Sequence, residues 1–206
     1  MNTTSPQSDR DQLSDVAERR GFLTRLGLAL DDACSASSDP LTLVERCAPQ
    51  LHQLIKEHPD EVEELVSALR WPDLDDDHYA RQRILESPTG NWSVYGICWR
   101  PGQYTPVHDH GTWGVVGVLR GCLHEHLMNL VDQRGDEDRY ELVPVGVCLL
   151  SEGAINTFIP EPDHIHRSGV PLSGQPTASI HLYGRVMTHY HAYNLETHTR
   201  SRLDVE

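Results

Sequence analysis

From residue 79 onward the chain consists of short β-prone runs separated by glycine, proline and polar turns, and this pattern limits the fold more than any other feature. The runs include "WSVYGICW", "WGVVGVLRG", "RYELVPVG" and "ASIHLYG". About ten such runs follow one another, which is typical of a β-sandwich or a small barrel. The sequence therefore predicts one mainly β domain over residues 79–195, followed by a C-terminal tail at residues 196–206.

Residues 14–78 have a different pattern, in which apolar side chains recur at the spacing of amphipathic helices. The second of three helical segments opens with Asp39 and Pro40, a capping residue followed by proline at the first helical position. The third is predicted to open with Asp60. We expect a helical N-terminal part over this range, preceded by a disordered N-terminus at residues 1–13.

The charge balance and the cysteines narrow the possible partners and compartments. The 206 residues include 31 acidic and 17 basic side chains, a net charge of −14 that repels nucleic acid and anionic membranes. The five cysteines form no CxxC pair, which favours a reducing compartment. The polar N-terminus carries no apolar signal segment, and no apolar run is long enough for a membrane span. We expect a cytoplasmic protein with no nucleic-acid or membrane partner.

Pairs of histidines one residue apart occur four times among the 13 histidines of the chain, at 108/110, 124/126, 164/166 and 189/191. Residues i and i+2 of a strand point to the same face, so His108 and His110 can converge on one metal ion. An isolated pair is more often two surface histidines. We expect exposed or locally hydrogen-bonded imidazoles at 124/126 and at 189/191.

The glycines around the first pair set it apart. Gly102, the pair His108/His110, Gly114 and Gly121 follow one another with the spacing of the first cupin motif. The fold prediction is therefore a cupin barrel, a double-stranded β-helix or jelly roll, behind a helical N-terminal part. The cupin pattern normally has glutamate where this chain has Gly114.

A third ligand is expected from the later segment "IPEPDHIHRSG". His166 is preferred because it lies in a strand-like stretch after the turn, and His164 is the alternative. Three imidazoles without a carboxylate suit Fe, Zn, Cu or Ni. Such a set leaves the ion its full charge and favours an anionic ligand such as a thiolate. It therefore favours Fe(II) oxygen chemistry over hydrolytic zinc, with Zn and Ni still open.

A second constellation lies in "ASIHLYG", where Ser179, His181 and Tyr183 alternate on one strand face. A serine can orient an imidazole, which can in turn hold a tyrosine hydroxyl toward a pocket. The alternative is an ordinary strand with one polar face.

Six short motifs together resemble the cysteine dioxygenase type I family, the cupin thiol dioxygenases, from about residue 79 to residue 195: "YAR", "CW", "HDH", "LRG", "IHR" and "SIHLYG". The resemblance implies a helical part before a cupin barrel, Fe(II) as the cofactor, and a small thiol and O₂ as the substrates. It also implies roles for seven residues: Fe(II) ligation by His108, His110 and His166, a relay of Ser179, His181 and Tyr183, and carboxylate binding by Arg81.

Two departures from the family pattern bear on the chemistry. Mammalian-type members have a cysteine near the position of Gly114 that cross-links to the active-site tyrosine, so we expect Tyr183 to be unmodified.

The stretch "TPVHDHGTWGVVGVLRG" is similar to the bacterial 3-mercaptopropionate dioxygenase branch, which usually has glutamine at the position of Arg81. Arginine there is similar to the cysteine dioxygenases. Cysteine and 3-mercaptopropionate therefore both remain candidate substrates.

The predicted function is the oxidation of a small carboxylated thiol by O₂ to its sulfinic acid. Arg81 is expected to bind the carboxylate, and Arg83, which has the same strand parity, is the alternative. Two other functions stay open. One is a non-enzymatic cupin that binds a metal or small ligand. The other is a cupin enzyme of another class, such as an isomerase or a different oxygenase.

Overall fold

The computed structural model describes residues 21–133, 140–160 and 164–204. Within these residues three helices precede eleven strands. The helices are α1 (Gly21–Ala36), α2 (Pro40–Glu57) and α3 (Pro59–Ala68). The predicted disordered N-terminus lies outside the described residues, and so does the beginning of the first predicted helix.

Local sequence signals explain where two of the helices begin. The Asp39 carboxylate accepts a hydrogen bond from the backbone N–H of Thr42 at 2.8 Å, and Pro40 occupies the first turn of α2 as predicted. Helix α3 begins at Pro59, one residue before the predicted Asp60. Proline suits a first helical position, since its missing N–H would have no partner there, and Asp60 then lies in the first turn beside the positive end of the helix dipole.

The strands are short, as their turn-bounded pattern predicts. In chain order they are β1 (Ala80–Glu86), β2 (Ser93–Trp99), β3 (Val107–His108), β4 (Gly114–Arg120), β5 (Cys122–Gln133), β6 (Tyr140–Ser151), β7 (Ile155–Phe158), β8 (Ile165–Gly169), β9 (Thr177–Tyr183), β10 (His189–Asn194) and β11 (Thr199–Asp204).

These strands form two antiparallel sheets. The five-stranded sheet has the order β1-β2-β9-β4-β7, and the six-stranded sheet has the order β11-β10-β3-β8-β5-β6. The mainly β fold with a helical N-terminal part is confirmed. Among the described residues each strand pairs only with strands of its own sheet, so the strands form a two-sheet jelly roll and do not close into a barrel.

The three central strands of the five-stranded sheet, β2, β9 and β4, are buried on both faces. On one face, Leu51 and Ile55 of α2 lie over Gly117 of β4, where an added Cβ would meet each of them at 3.0 Å. On the other face, Tyr95, Ile97 and Trp99 of β2 belong to a core between the two sheets. The helices therefore cover the outer face and leave the inner face to the second sheet.

The six-stranded sheet extends beyond the expected end of the domain. Residues 196–206 were expected to form a tail, but Thr199–Asp204 pair antiparallel with β10, from Asn194 opposite Thr199 to His189 opposite Asp204. This edge strand is mostly exposed and polar, so it lacks the apolar alternation by which strands are recognised. Residues 205 and 206 lie outside the described part.

No helix in the described ranges combines the length and the apolar character that crossing a membrane requires.

Candidate functional site

Three buried imidazoles meet between the sheets. His108 on β3 lies directly opposite His166 on β8, and the ring centroids of these two histidines are 4.7 Å apart. The ring of His110 lies 4.7 Å from that of His108 and 5.0 Å from that of His166. One nitrogen from each ring lies within 4.8 Å of the other two. This spacing allows all three to reach a single ion.

His108 and His110 do not converge by strand alternation, because β3 ends at His108. The backbone after β3 is held by other contacts. The N–H of Asp109 donates to the carbonyl oxygen of His191 at 3.1 Å, and the Arg185 guanidinium donates to the carbonyl oxygen of His110 at 2.9 Å. The two imidazoles thus point to the same side because the loop that carries His110 is hydrogen-bonded to β10 and to Arg185.

Asp109, between the two histidines, points away from the cluster. Its buried carboxylate accepts hydrogen bonds from the hydroxyl of Tyr193 at 2.8 Å and from the backbone N–H of His191 at 3.2 Å. The imidazole Nδ1 of His191 also lies 3.2 Å from this carboxylate. The second residue of "HDH" therefore anchors the loop that carries the two imidazoles.

The free nitrogens of these rings fit a metal site. Nδ1 of His108 faces the carbonyl oxygen of Pro106 at 3.0 Å, and a carbonyl only accepts, so Nδ1 carries the proton and Nε2 has the lone pair. Nδ1 of His110 and Nε2 of His166 are buried and have no hydrogen-bond partner among the described residues. Buried polar atoms without partners are costly, and a ligated ion would satisfy them. The donor set suits a first-row transition metal.

Burial keeps the three rings neutral, the form that binds metals. Desolvation lowers the pKa of His108 and of His166 to about 3, and the pKa of His110 well below its usual value. Repulsion among the rings lowers the pKa of His108 and His110 further. The cluster is therefore uncharged at neutral pH and needs no deprotonation to ligate an ion.

His164 occupies a different place from His166. It is only partly buried, its ring stacks on Phe158 with centroids 4.8 Å apart, and its ring lies 6.4 Å from that of His110. It belongs to a second group of metal-capable side chains, with Glu125 and His166. His166 is thus shared by both groups, and the group that contains His108 and His110 is completed by His166.

The predicted relay lies on β9, whose residues are all buried. The Ser179 hydroxyl is 2.9 Å from Nε2 of His181, and the Tyr183 hydroxyl is 3.4 Å from Nδ1 of the same ring. The indole N–H of Trp99 donates to the Ser179 oxygen at 3.1 Å. The Tyr183 ring also stacks against His110, with centroids 5.2 Å apart. The relay and the histidine cluster are therefore in direct contact.

Burial sets the protonation of the relay. It raises the pKa of the Tyr183 phenol far above its ordinary value and lowers the pKa of His181 to about 3. The neutral phenol can donate a hydrogen bond, either to Nδ1 of His181 or into the cavity.

One cavity, with a volume of about 30 Å³, is lined by the three histidines, by Arg81, and by His181 and Tyr183 of the relay. The guanidinium carbon of Arg81 lies 5.0 Å from the centroid of the Tyr95 ring. Arg83 is half-exposed instead and pairs with Glu86 at 3.1 Å. Tyr79, Met187 and Tyr190 complete much of the remaining wall. The cavity admits only a small occupant and offers it one cation beside three imidazoles.

The sequence prediction missed one charged group, Glu125, which is fully buried on β5 beside His166. His124 and His126 on either side of it are only partly buried. Strand alternation in "LHEHLM" places Glu125 on the face opposite to the two histidines. That alternation is the signal in the sequence that separates Glu125 from its two neighbours.

Gly114, where the cupin pattern has glutamate, is closed to any side chain. It lies opposite Phe158 on one side and Tyr183 on the other, and an added Cβ would overlap the Phe158 ring. An aromatic ring thus fills the space that a side chain at this position would need.

Comparison with known proteins identifies the family of the chain. The family model for cysteine dioxygenase type I matches residues 33–196. Human cysteine dioxygenase type 1 is 23% identical over 164 residues, and the rat protein is 22% identical over 165 residues. Each alignment covers 74% of this chain and 80% of the relative.

Comparison with solved structures gives a cupin-like protein from Thermotoga maritima, with 16% identity and a TM-score of 0.41 over 66% of this chain and 86% of that one. A Thermus thermophilus protein has 15% identity and a TM-score of 0.43 over 59% of this chain and 93% of that one.

Two antiparallel sheets with a helical N-terminal part and a buried cluster of histidines define a cupin with a metal-capable site. The chain belongs to the cysteine dioxygenase type I family, whose model matches most of its length. Membership indicates a dioxygenase of the thiol-oxidising kind, and together with the three-histidine cluster it points to a metal cofactor.

The fit of Phe158 against Gly114 can be tested by unfolding. We expect Gly114→Ala to lower the free energy of unfolding by about 1–3 kcal/mol, because the added methyl overpacks the aromatic contact. The control is Gly146→Ala on β6, where nothing lies within 4 Å of the added Cβ, and we expect a change below about 0.5 kcal/mol. Urea unfolding measures both. Equal stabilities of the two variants would contradict the close packing.

Proposed function

We propose that this protein is an Fe(II)-dependent dioxygenase that converts a small carboxylated thiol, of the cysteine or 3-mercaptopropionate type, with O₂ to its sulfinic acid. Both oxygen atoms enter the product, so the reaction balances without another reductant. The observation that carries the proposal is that one small cavity is lined by the three histidines, by Arg81, and by His181 and Tyr183 of the relay.

The three neutral imidazoles of His108, His110 and His166 would hold the iron. When bound, Fe(II) supplies open positions at which a thiolate and O₂ can react. Because none of these three ligands is charged, the site favours an anionic partner, and a thiolate is such a partner. The position of Gly114 supports this ligand set, since the Phe158 ring occupies the place of a competing carboxylate.

Arg81 would orient the substrate through its carboxylate. Its guanidinium is planar, always charged and able to bind a carboxylate with two hydrogen bonds. The contact with the Tyr95 ring holds it at the cavity wall. In a chain of net charge −14, this local cation would attract an anionic substrate to the cavity.

The relay would place one hydrogen-bond donor in the cavity. Tyr183 keeps its proton because it is buried, and His181 is held from its other side by Ser179. The indole of Trp99 fixes the serine in turn. The phenol can therefore donate to the substrate carboxylate or to oxygen without changing its charge.

The activity is tested by O₂ uptake of the Fe(II)-loaded protein with cysteine, 3-mercaptopropionate, mercaptosuccinate and cysteamine. We expect uptake with at least one carboxylated thiol, together with formation of its sulfinic acid, because the cavity offers both a thiolate site and a cation. Uptake with none of the four thiols would contradict the proposal and favour a non-enzymatic cupin or another cupin enzyme.

The role of Arg81 is tested by comparing thiols with and without a carboxylate. We expect Arg81→Ala to lower kcat/KM for the carboxylated substrate by about 10- to 100-fold, the effect of losing hydrogen bonds between charged groups, and to affect cysteamine far less. Arg83→Ala is the matched control, since that side chain pairs with Glu86 at the surface. Equal losses for both kinds of thiol would remove Arg81 from this role.

The third ligand is tested by metal retention. We expect His166→Ala to abolish retention of iron after dialysis, because two imidazoles remain, and we expect His164→Ala to retain it. Metal analysis per chain measures the iron, and circular dichroism shows whether each variant is folded. Loss of iron in His164→Ala with retention in His166→Ala would reverse the assignment.

A further inference from the structure

A buried carboxylate lies directly behind one of the proposed ligands. Glu125 is fully buried, and its Oε1 lies 3.4 Å from Nδ1 of His166. Oε1 has no hydrogen-bond partner within the described ranges. The other oxygen, Oε2, accepts a hydrogen bond from the side-chain amide of Asn156. One side of the carboxylate is therefore fixed, and the other is free to face the imidazole.

Glu125 and its hydrogen-bond partner Asn156 come from different sheets, and their side chains meet in the space between them. Glu125 on β5 lies opposite Ser168 on β8, two residues from His166. Asn156 lies on β7 in the other sheet, opposite Val116. The Asn156–Glu125 hydrogen bond therefore connects the two sheets behind the histidine cluster, and the packing of the jelly roll determines where the carboxylate points.

The chemistry of the two groups determines how they interact. An ionised carboxylate only accepts hydrogen bonds, and leaving one buried without a full set of donors is costly. Nδ1 of His166 is a suitable donor when it carries the proton. The proton on Nδ1 leaves Nε2 with the lone pair, and Nε2 is the buried nitrogen that has no partner. Such contacts fix the tautomer and orientation of metal-binding histidines and raise their basicity.

We propose that Glu125 is a positioning residue for the metal centre: it accepts the Nδ1 proton of His166, aims Nε2 at the ion, and supplies one negative charge just outside the neutral ligand set. This inference rests on the proposed metal site. The chain thus lacks the glutamate ligand that the cupin pattern has at the position of Gly114. Instead, the carboxylate of Glu125 would act on the ion indirectly, through His166.

Two rival explanations have distinct consequences. Ser168 could orient the ring instead, because its hydroxyl lies 3.3 Å from the same Nδ1. Glu125 could also be a direct ligand of a second ion, because one of its carboxylate oxygens lies within 4.8 Å of a ring nitrogen of His164 and of His166. The first rival predicts that Ser168 is the sensitive position, and the second predicts two ions per chain.

The test is metal binding by Glu125→Gln, which keeps the shape of the side chain and removes its charge. Co(II) is titrated against a competing chelator to give stoichiometry and Kd, and the midpoint potential is measured on the iron-loaded protein. We expect one ion per chain, a Kd raised about 10- to 100-fold, and a more positive potential, because loss of a nearby negative charge disfavours Fe(III).

Three further variants act as controls. Glu152→Gln removes one charge from an exposed turn and should change neither Kd nor potential. Ser168→Ala should raise Kd less than Glu125→Gln and leave the potential unchanged. Asn156→Ala keeps the carboxylate but removes its anchor, so it should weaken binding as well. If Glu125→Gln does not fold, Asn156→Ala tests the positioning role of Glu125 in its place.

The outcomes separate this inference from the proposed function. If the wild type binds no ion, or if His108→Ala binds as well as the wild type, the metal site itself is wrong. The positioning role alone is wrong if the wild type binds one ion and folded Glu125→Gln, or Asn156→Ala in its place, shows an unchanged Kd. It is also wrong if Ser168→Ala has the larger effect, or if Glu125→Gln lowers the stoichiometry from two to one.

Discussion

Burial of three imidazoles between two antiparallel sheets is the constraint on which the rest of the structure depends. One pair in the register, His108 opposite His166, brings together two parts of the chain that are far apart in sequence. Burial keeps the rings uncharged, and some of their nitrogens have no hydrogen-bond partner in the described part of the chain. The loop after β3, the relay on β9 and the carboxylate on β5 are all arranged around this buried, neutral centre.

The charged side chains of this centre, Arg81 and Glu125, lie at its edges, on either side of the three imidazoles. Arg81 lies on the cavity wall, where a substrate can reach it, and Glu125 lies behind His166, where a substrate cannot. The imidazoles between them are neutral. Under the proposed function, a small anionic ligand would meet the Arg81 cation and a metal held by the imidazoles on one side, while the buried carboxylate faces Nδ1 of His166. Arg81 and Glu125 are separated because they come from different sheets.

The fold and part of the site could be predicted from local patterns. Turn-bounded β runs identify the sheets, and the Asp39–Pro40 pair identifies the start of α2. The glycine spacing singles out His108 and His110 from four similar pairs. Two features escaped such reasoning. The edge strand β11 is polar and shows no alternation, and Glu125 becomes significant only when β5 and β8 are paired.

The sequence by itself determined which side chains are available: three imidazoles, a glycine in place of a carboxylate ligand, an arginine on β1 and an alternating Ser-His-Tyr strand. Tertiary structure alone decided how they are used. It bent the backbone after β3 so that His110 joins His108, placed Arg81 and not Arg83 at the cavity, and moved Glu125 behind His166. The reason is physical: distance, burial and hydrogen-bond partners depend on the register between strands, which no short stretch of sequence contains.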